Sequence, residues 1–169
     1  MGQVNPSVWT LEPDGDGSGS WRRVISDLGS ANQLTEPSIA VDSDSAWLLG
    51  GGTTGGMLQL NMSSQNFTSI STANFWANGG DILNSAMLYV PSFRPAGILV
   101  AMGGSVQAEP YDTQLGFQTV SVFDLAKKEF WSQTTTGNIP STRTDFCVSG
   151  LNLTNGTYEM YICDTMLKR

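Results

Sequence analysis

The chain has 169 residues, of which 40% are hydrophobic and 14% charged, and its formal net charge at pH 7 is −7. This length allows one domain with a sizeable core, and the apolar content argues against a disordered chain. The acidic balance argues against nucleic-acid partners and anionic membrane surfaces, because a negative surface repels phosphate groups.

Histidine is absent from the sequence, and this lowers the expectation of catalysis. Histidine is the commonest general base and the commonest ligand of transition metals. A Ser-His-Asp or Cys-His arrangement is therefore excluded, and two cysteines without histidine do not make a zinc site. We expect a protein that is not an enzyme and that uses no cofactor and no metal.

No segment of the sequence predicts targeting or membrane insertion. The stretch "MGQVNPSVW" (1–9) lacks both the basic and the apolar region of a signal peptide. The longest apolar windows, such as residues 97–102, are too short to span a bilayer. We therefore expect no direct membrane insertion of this segment.

In chain order, the first predicted elements are two strands in "SVWTLEPDGDGSGSWRRVI" (7–25), with Trp21 in the second strand. The stretch between them, "DGDGSGS" (14–20), mimics the start of a calcium-binding loop. Such a loop needs Glu at its twelfth position, where this chain has Ile25. We interpret the stretch as a glycine-rich hairpin turn.

The second group of predicted strands covers "PSIAV" (37–41), "SAWLLGGGT" (45–53) and "MLQLNMSSQNFTSI" (57–70). The glycines after the apolar run match the dinucleotide-binding spacing G-x-G-x-x-G. That motif needs a following helix and an acidic residue about 20 positions on. No helical apolar stripe follows here, and residues 46–80 contain neither Asp nor Glu. The pattern predicts strand, turn, strand instead of a nucleotide site.

The third group repeats this order. It consists of "SAMLYV" (85–90), "GILVAMGGS" (97–105) and "QTVSVFDLAKKEFWSQTTTG" (118–137). In the last stretch apolar and polar residues alternate up to Phe123, and a tight turn then leads to a strand with Trp131. This pattern predicts two strands joined by a hairpin.

The last predicted strands lie in "IPSTRTDFCVSGLNLTNGTYEMYIC" (139–163). Cys147 and Cys163 stand on opposite arms of a hairpin that turns at Asn155 and Gly156. In a symmetric register the two cysteines lie nearly opposite each other. A cross-strand disulfide and a pair of buried free thiols are both open interpretations.

Two glycine pairs close equivalent apolar strands, Gly51-Gly52 in the second group and Gly103-Gly104 in the third, and they lie 52 residues apart. Self-similarity at such a period is typical of propellers and solenoids. Paired glycines permit close approach of backbones and positive φ angles. We therefore interpret these glycines as structural punctuation between successive sheets.

The repeated unit resembles the kelch repeat, which has an inner strand, a strand ending in Gly-Gly, a strand ending in an aromatic residue plus Asp, and an outer strand with Trp. The phrases "NFTSISTANFW", "YVPSF" and "QTTTGNIPSTR" are similar to those of fungal kelch-repeat proteins. The fourth copy departs from the pattern, because Cys163-Asp164 stands where the glycine pair belongs.

The resemblance implies an all-β fold, a partial kelch-type β-propeller of four-stranded antiparallel blades in an incomplete ring. Its units are a half blade (7–28), two blades (35–72 and 83–135) and a half blade (139–163). About three blades are fewer than the four to eight that propellers usually contain, which predicts a fragment of a longer protein. Aromatic residues would then pack in and between blades, namely Trp21, Phe67, Phe123 and Trp131.

The sequence also carries four glycosylation sequons, at Asn61, Asn66, Asn152 and Asn155. They favour a secreted or cell-surface protein, and the crowding of Asn152 and Asn155 predicts that only one of that pair carries a glycan.

The resemblance implies a non-catalytic interaction module that binds a protein or carbohydrate ligand through its inter-strand loops. Two alternatives stay open. One is a fragment of a galactose-oxidase-like carbohydrate oxidase without its copper site, which needs histidine. The other is an intracellular kelch scaffold, in which the sequons would be coincidental.

Overall fold

The computed structural model describes residues 8–24, 34, 36–51, 56–72, 74–75, 82–106 and 112–164. Its described residues form strands and turns and contain no helix, so none is present there that could span a membrane. The strands in chain order are β1 (Val8–Pro13), β2 (Gly19–Val24), β3 (Ser38–Val41), β4 (Ser45–Leu49), β5 (Met57–Asn61), β6 (Phe67–Ile70), β7 (Ile82–Leu83), β8 (Ala86–Val90), β9 (Ile98–Met102), β10 (Ser105–Val106), β11 (Thr113–Gln114), β12 (Thr119–Asp124), β13 (Glu129–Thr134), β14 (Phe146–Asn152) and β15 (Tyr158–Asp164).

The strands assemble into several small antiparallel sheets, so the predicted all-β class is confirmed. Two four-stranded sheets have the orders β3-β4-β5-β6 and β8-β9-β12-β13. Two hairpins, β1-β2 and β14-β15, flank them in the chain. The first four-stranded sheet is a simple meander, whereas in the second the short strands β10 and β11 intervene in the chain between the paired strands β9 and β12.

A three-stranded sheet of order β11-β10-β7 was not predicted. Each of its strands has two residues, which is too short for alternation of apolar and polar side chains to be visible in a sequence. It forms because β10 directly follows the glycine pair after β9 and pairs with β7, the segment before β8. The small sheet therefore lies where the chain passes between the larger sheets.

Successive sheets contact each other through their first strands, since β3 packs on β8 and β8 packs on β14. Two apolar cores result. The first contains residues from both four-stranded sheets, including Trp47, Leu49, Leu99 and Phe123. The second lies between the second four-stranded sheet and the β14-β15 hairpin. All five residues of β9 are buried because that strand has a core on each face.

The β1-β2 hairpin differs from the other units in its burial. Trp9, Leu11 and Trp21 share one of its faces, and their exposed fractions are 55%, 50% and 65%. Within the described part of the chain, no further strand pairs with this hairpin. Trp21 therefore does not bury the area between sheets that the kelch resemblance implies for it.

Candidate functional site

The glycine pairs lie where one sheet meets the next. Gly51 donates its backbone N–H to the carbonyl oxygen of Ile82 at 2.9 Å, and Gly104 donates to that of Arg143 at 3.1 Å. Each acceptor lies just before the first strand of the following sheet. The same backbone contact is thus made twice, at the junction between the two four-stranded sheets and at the junction between the second of them and the β14-β15 hairpin.

In the structure Gly51 corresponds to Gly104, because these two residues make the equivalent bonds. The repeat seen in the sequence instead matched Gly52 with Gly104. Gly50 and Gly51 both have positive φ angles, as Gly103 and Gly104 do. The first glycine pair is therefore Gly50-Gly51, and Gly52 lies outside the described residues. Sequence comparison missed Gly50 because three consecutive glycines allow either alignment.

Space at these junctions explains the choice of glycine. A Cβ atom on Gly104 would stand 2.6 Å from the carbonyl oxygen of Leu83 and 2.6 Å from Cβ of Ser85. A Cβ atom on Gly103 would stand 2.7 Å from the ring of Phe146. No side chain fits here without a shift of the neighbouring strand. The predicted structural role of these glycines is consistent with this geometry.

The turns after the third strand of each four-stranded sheet are also equivalent. Oδ1 of Asn61 accepts the backbone N–H groups of residues 63 and 64 at 3.1 and 2.8 Å. Oδ1 of Asp124 accepts those of residues 126 and 127 at 2.9 and 3.0 Å. Gln65 and Lys128 close the two turns with positive φ. Asn61, predicted as a glycosylation site, thus also supports its own turn.

Several polar side chains in and beside the turns between strands line one cleft, which we call the polar cleft. Its volume is about 430 Å³. It lies between the two four-stranded sheets, at the β3-β4, β5-β6, β8-β9 and β12-β13 turns. Its lining includes Asp42, Asp44, Gln59, Asn61, Tyr89 and Lys128. Sequence reasoning missed this group, because its members are far apart in the chain.

Lys128 is the central side chain of the polar cleft. Its Nζ lies 4.1 Å from the ring centroid of Trp47 and 3.4 Å from Oε1 of Gln59. Burial lowers the pKa of Lys128, and the carboxylate of Asp42 opposes that shift. An ammonium group over an aromatic face is attracted by the ring quadrupole. The side chain of Lys128 therefore covers the ring of Trp47, which is buried in the structure.

Asp42 holds the wall of the polar cleft. Its Oδ1 accepts backbone N–H groups of Asp44 and Ser45 at 2.8 and 2.7 Å, and its Oδ2 accepts Nε1–H of Trp47 at 2.7 Å. These bonds order the β3-β4 turn and orient the indole. Both carboxylate oxygens of Asp42 thus accept hydrogen bonds within the protein. Asp44 can still accept, and Lys128 can still donate, further hydrogen bonds to a ligand in the cleft.

A second cleft, of about 440 Å³, has a mainly apolar lining. It lies between strands β9, β12 and β13 of the second four-stranded sheet and the turn of the β14-β15 hairpin. Trp131 and Met160 line it, together with Phe93, which is 54% exposed. Arg94 lies over the ring of Trp131, with Cζ 5.6 Å from the ring centroid.

The remaining predicted aromatic residues differ in burial. Phe123 is fully buried and packs on Trp47 and Phe130, with ring centroids 5.6 and 4.6 Å apart. Phe67 and Trp131 are half-buried. Phe123 belongs to the first core, and Trp131 packs against the second core.

The calcium-like stretch forms the turn of the β1-β2 hairpin, as expected. The N–H of Asp14 donates to the carbonyl oxygen of Ser18 at 3.3 Å, and Gly15 and Gly17 have positive φ. A hydrogen bond from the Ser18 hydroxyl lowers the pKa of Asp14. Across the described ranges, no group of three or more acidic, Cys or His side chains could hold a metal ion.

The other candidate residues lie on the surface. The sequon asparagines, Asn61, Asn66, Asn152 and Asn155, are all exposed, at strand ends or in turns. Cys147 and Cys163 are register partners in the β14-β15 hairpin. Both are exposed free thiols, so the interpretation as buried thiols is wrong.

The chain was compared with protein-family models and with curated proteins, and neither comparison produced a match.

Proposed function

We propose that this chain is part of a kelch-type β-propeller that works as a non-catalytic binding module. The repeated backbone bond from a glycine pair to the segment before the next sheet carries this proposal. A contact that recurs with the same geometry between successive units generates a regular array. The packing of β3 on β8 and of β8 on β14 supports a radial array with these first strands innermost.

A crystal structure of the chain tests the radial array independently of binding. We expect the Gly51–Ile82 and Gly104–Arg143 backbone bonds at both junctions. Sheets that stack without these bonds, or a single continuous sheet, would contradict the propeller proposal.

We assign the polar cleft as the ligand-binding site and a carbohydrate as its ligand. Its lining combines carboxylates, amides, one ammonium group and the half-buried Tyr89. Such a set offers both donors and acceptors to sugar hydroxyl groups. Binding sites also concentrate on loops held by a rigid scaffold, and inter-strand turns form this cleft. The absence of histidine from the sequence supports binding without catalysis.

Oligosaccharide binding by two lysine variants tests this site. An array of neutral and acidic oligosaccharides identifies the probe, and calorimetry then gives its Kd. We expect Lys128→Gln to weaken binding at least about tenfold, or about 1.4 kcal/mol. Lys127→Gln is the matched control, because Lys127 is an exposed neighbour outside the cleft lining. An equal effect of both substitutions, or no binding to any oligosaccharide, would contradict the site.

We also propose a secreted or cell-surface location, supported by four exposed sequons. Endoglycosidase treatment of the protein isolated from its native source tests it by intact mass. We expect a mass loss on treatment, and a single glycan within the Asn152 and Asn155 pair. An unglycosylated product would favour the intracellular scaffold.

A further inference from the structure

The hairpin β14-β15 presents two thiols directly opposite each other on an exposed face. Cys147 pairs with Cys163 in the strand register, and both residues are exposed. The Cys147 Sγ lies 3.9 Å from the carbonyl oxygen of Cys163. A hydrogen bond with Cys147 raises the pKa of the Cys163 thiol. The Cys147 thiol therefore lies against the opposite strand at Cys163 in the reduced state.

The turn of the hairpin determines which type of cross-strand pair they occupy. Leu153 donates its N–H to the carbonyl oxygen of Thr157 at 2.9 Å, so these two residues are a hydrogen-bonded pair. Hydrogen-bonded and non-hydrogen-bonded pairs alternate along an antiparallel ladder. Counting back in steps of two residues per strand, Cys147 and Cys163 are a hydrogen-bonded pair.

This type of pair permits a disulfide but does not favour a relaxed one. Its Cα atoms are about 5.5 Å apart, which is within the usual range for a disulfide. Its Cβ atoms lie near the upper end of about 4.5–5.5 Å, whereas a disulfide brings them to about 3.8 Å. Closure must draw the two strands together, and strained, exposed disulfides are the more easily reduced ones.

We propose that Cys147 and Cys163 are a reversible thiol–disulfide couple that exchanges with low-molecular-weight disulfides such as oxidised glutathione. One protein thiolate attacks the glutathione disulfide and releases one glutathione thiolate, which takes up a proton. The second protein thiolate then attacks the mixed disulfide and releases the second glutathione. The protein loses two hydrogen atoms, and one glutathione disulfide becomes two glutathione thiols.

Intact mass and thiol titration under native conditions test the closure. After incubation with oxidised glutathione, we expect the wild-type chain to lose both free thiols and two hydrogen atoms while remaining monomeric. The double variant C147S/S149C is the matched control, because it keeps two exposed thiols on the same face of the hairpin. Its thiols are diagonal neighbours about 7–8 Å apart, too distant for a disulfide.

The control is expected to accumulate glutathione adducts or disulfide-linked dimers. Wild-type protein that does the same overturns the proposal. Reversibility is tested by adding reduced glutathione to the oxidised protein without denaturant. We expect the oxidised fraction to fall from nearly all to below about a tenth as the buffer becomes reducing. An oxidised form that opens only after unfolding overturns the proposal as well, since it would be a permanent structural bond.

Discussion

Gly104→Ala should destabilise the close packing of the glycine pair after β9 on the β7-β8 segment, beside the junction with the β14-β15 hairpin. Gly104 has φ +86°, and an alanine in this left-handed region costs about 1–2 kcal/mol. The new Cβ would also stand 2.6 Å from the carbonyl oxygen of Leu83 and 2.8 Å from Cα of Ser85. Both are backbone atoms that cannot rotate away, and overpacking of this kind costs about 1–3 kcal/mol. The expected total is about 2–5 kcal/mol.

Gly137→Ala is the matched control for this substitution. Gly137 has φ +88°, and a Cβ there would meet nothing within 4 Å. The backbone strain and the loss of unfolded-state entropy are therefore nearly the same in both variants and cancel in the difference. We expect Gly104→Ala to be less stable than Gly137→Ala by the packing cost alone, about 1–3 kcal/mol.

Urea unfolding followed by tryptophan fluorescence measures both variants, with equal slopes required for the comparison. If the two variants lose the same stability within about 0.5 kcal/mol, then close backbone approach is not the reason for glycine at this junction. The structural interpretation of the glycine pairs would then be refuted.

Two further substitutions test contacts between units and at a turn. The backbone N–H of Lys127 donates a hydrogen bond to the carboxylate of Asp124 and holds the pKa of Asp124 below its usual value. The positive charge of Arg94 makes a smaller contribution in the same direction. This stabilisation is present above the unfolded-state pKa of about 3.9 and is lost as pH falls through the folded-state pKa. Asp124→Asn should therefore be less stable than wild type at neutral pH, with a gap in urea midpoint that narrows near pH 3, and a constant gap would contradict this. Tyr158 donates its hydroxyl to the carbonyl oxygen of Tyr89 at 3.1 Å, so Tyr158→Phe should cost about 0.5–1.5 kcal/mol of unfolding free energy. The exposed Tyr161 bonds within its own strand, and Tyr161→Phe should change stability by less than about 0.5 kcal/mol.

Local features were predictable because the information for them is local. Alternation of apolar residues up to Phe123 predicts a strand with two different faces, and the structure has β12 there. "DGDGSGS" (14–20) predicts a turn, because glycine provides the positive φ angles that the structure shows at Gly15 and Gly17. The hairpin around Gly156 predicts that Cys147 and Cys163 face each other, and the register pairs them.

The candidate site was less predictable, because it depends on residues that are distant in the chain. Nothing near Lys128 in the sequence indicates that it covers Trp47, which lies in another sheet. The kelch resemblance implies a packed Trp21, but in the structure this side chain is 65% exposed, because burial of a strand face depends on whether another sheet covers it.

By itself, the sequence determined the longer strands and the turns that join them in hairpins, since these follow from backbone preferences and side-chain periodicity over a few residues. Only the tertiary structure decided that Gly50-Gly51 is the first glycine pair, that β7, β10 and β11 form a sheet, and that four turns share one cleft. Those features depend on how closely one sheet approaches the next. That distance is determined by the packing of side chains from separate units, which no single unit encodes.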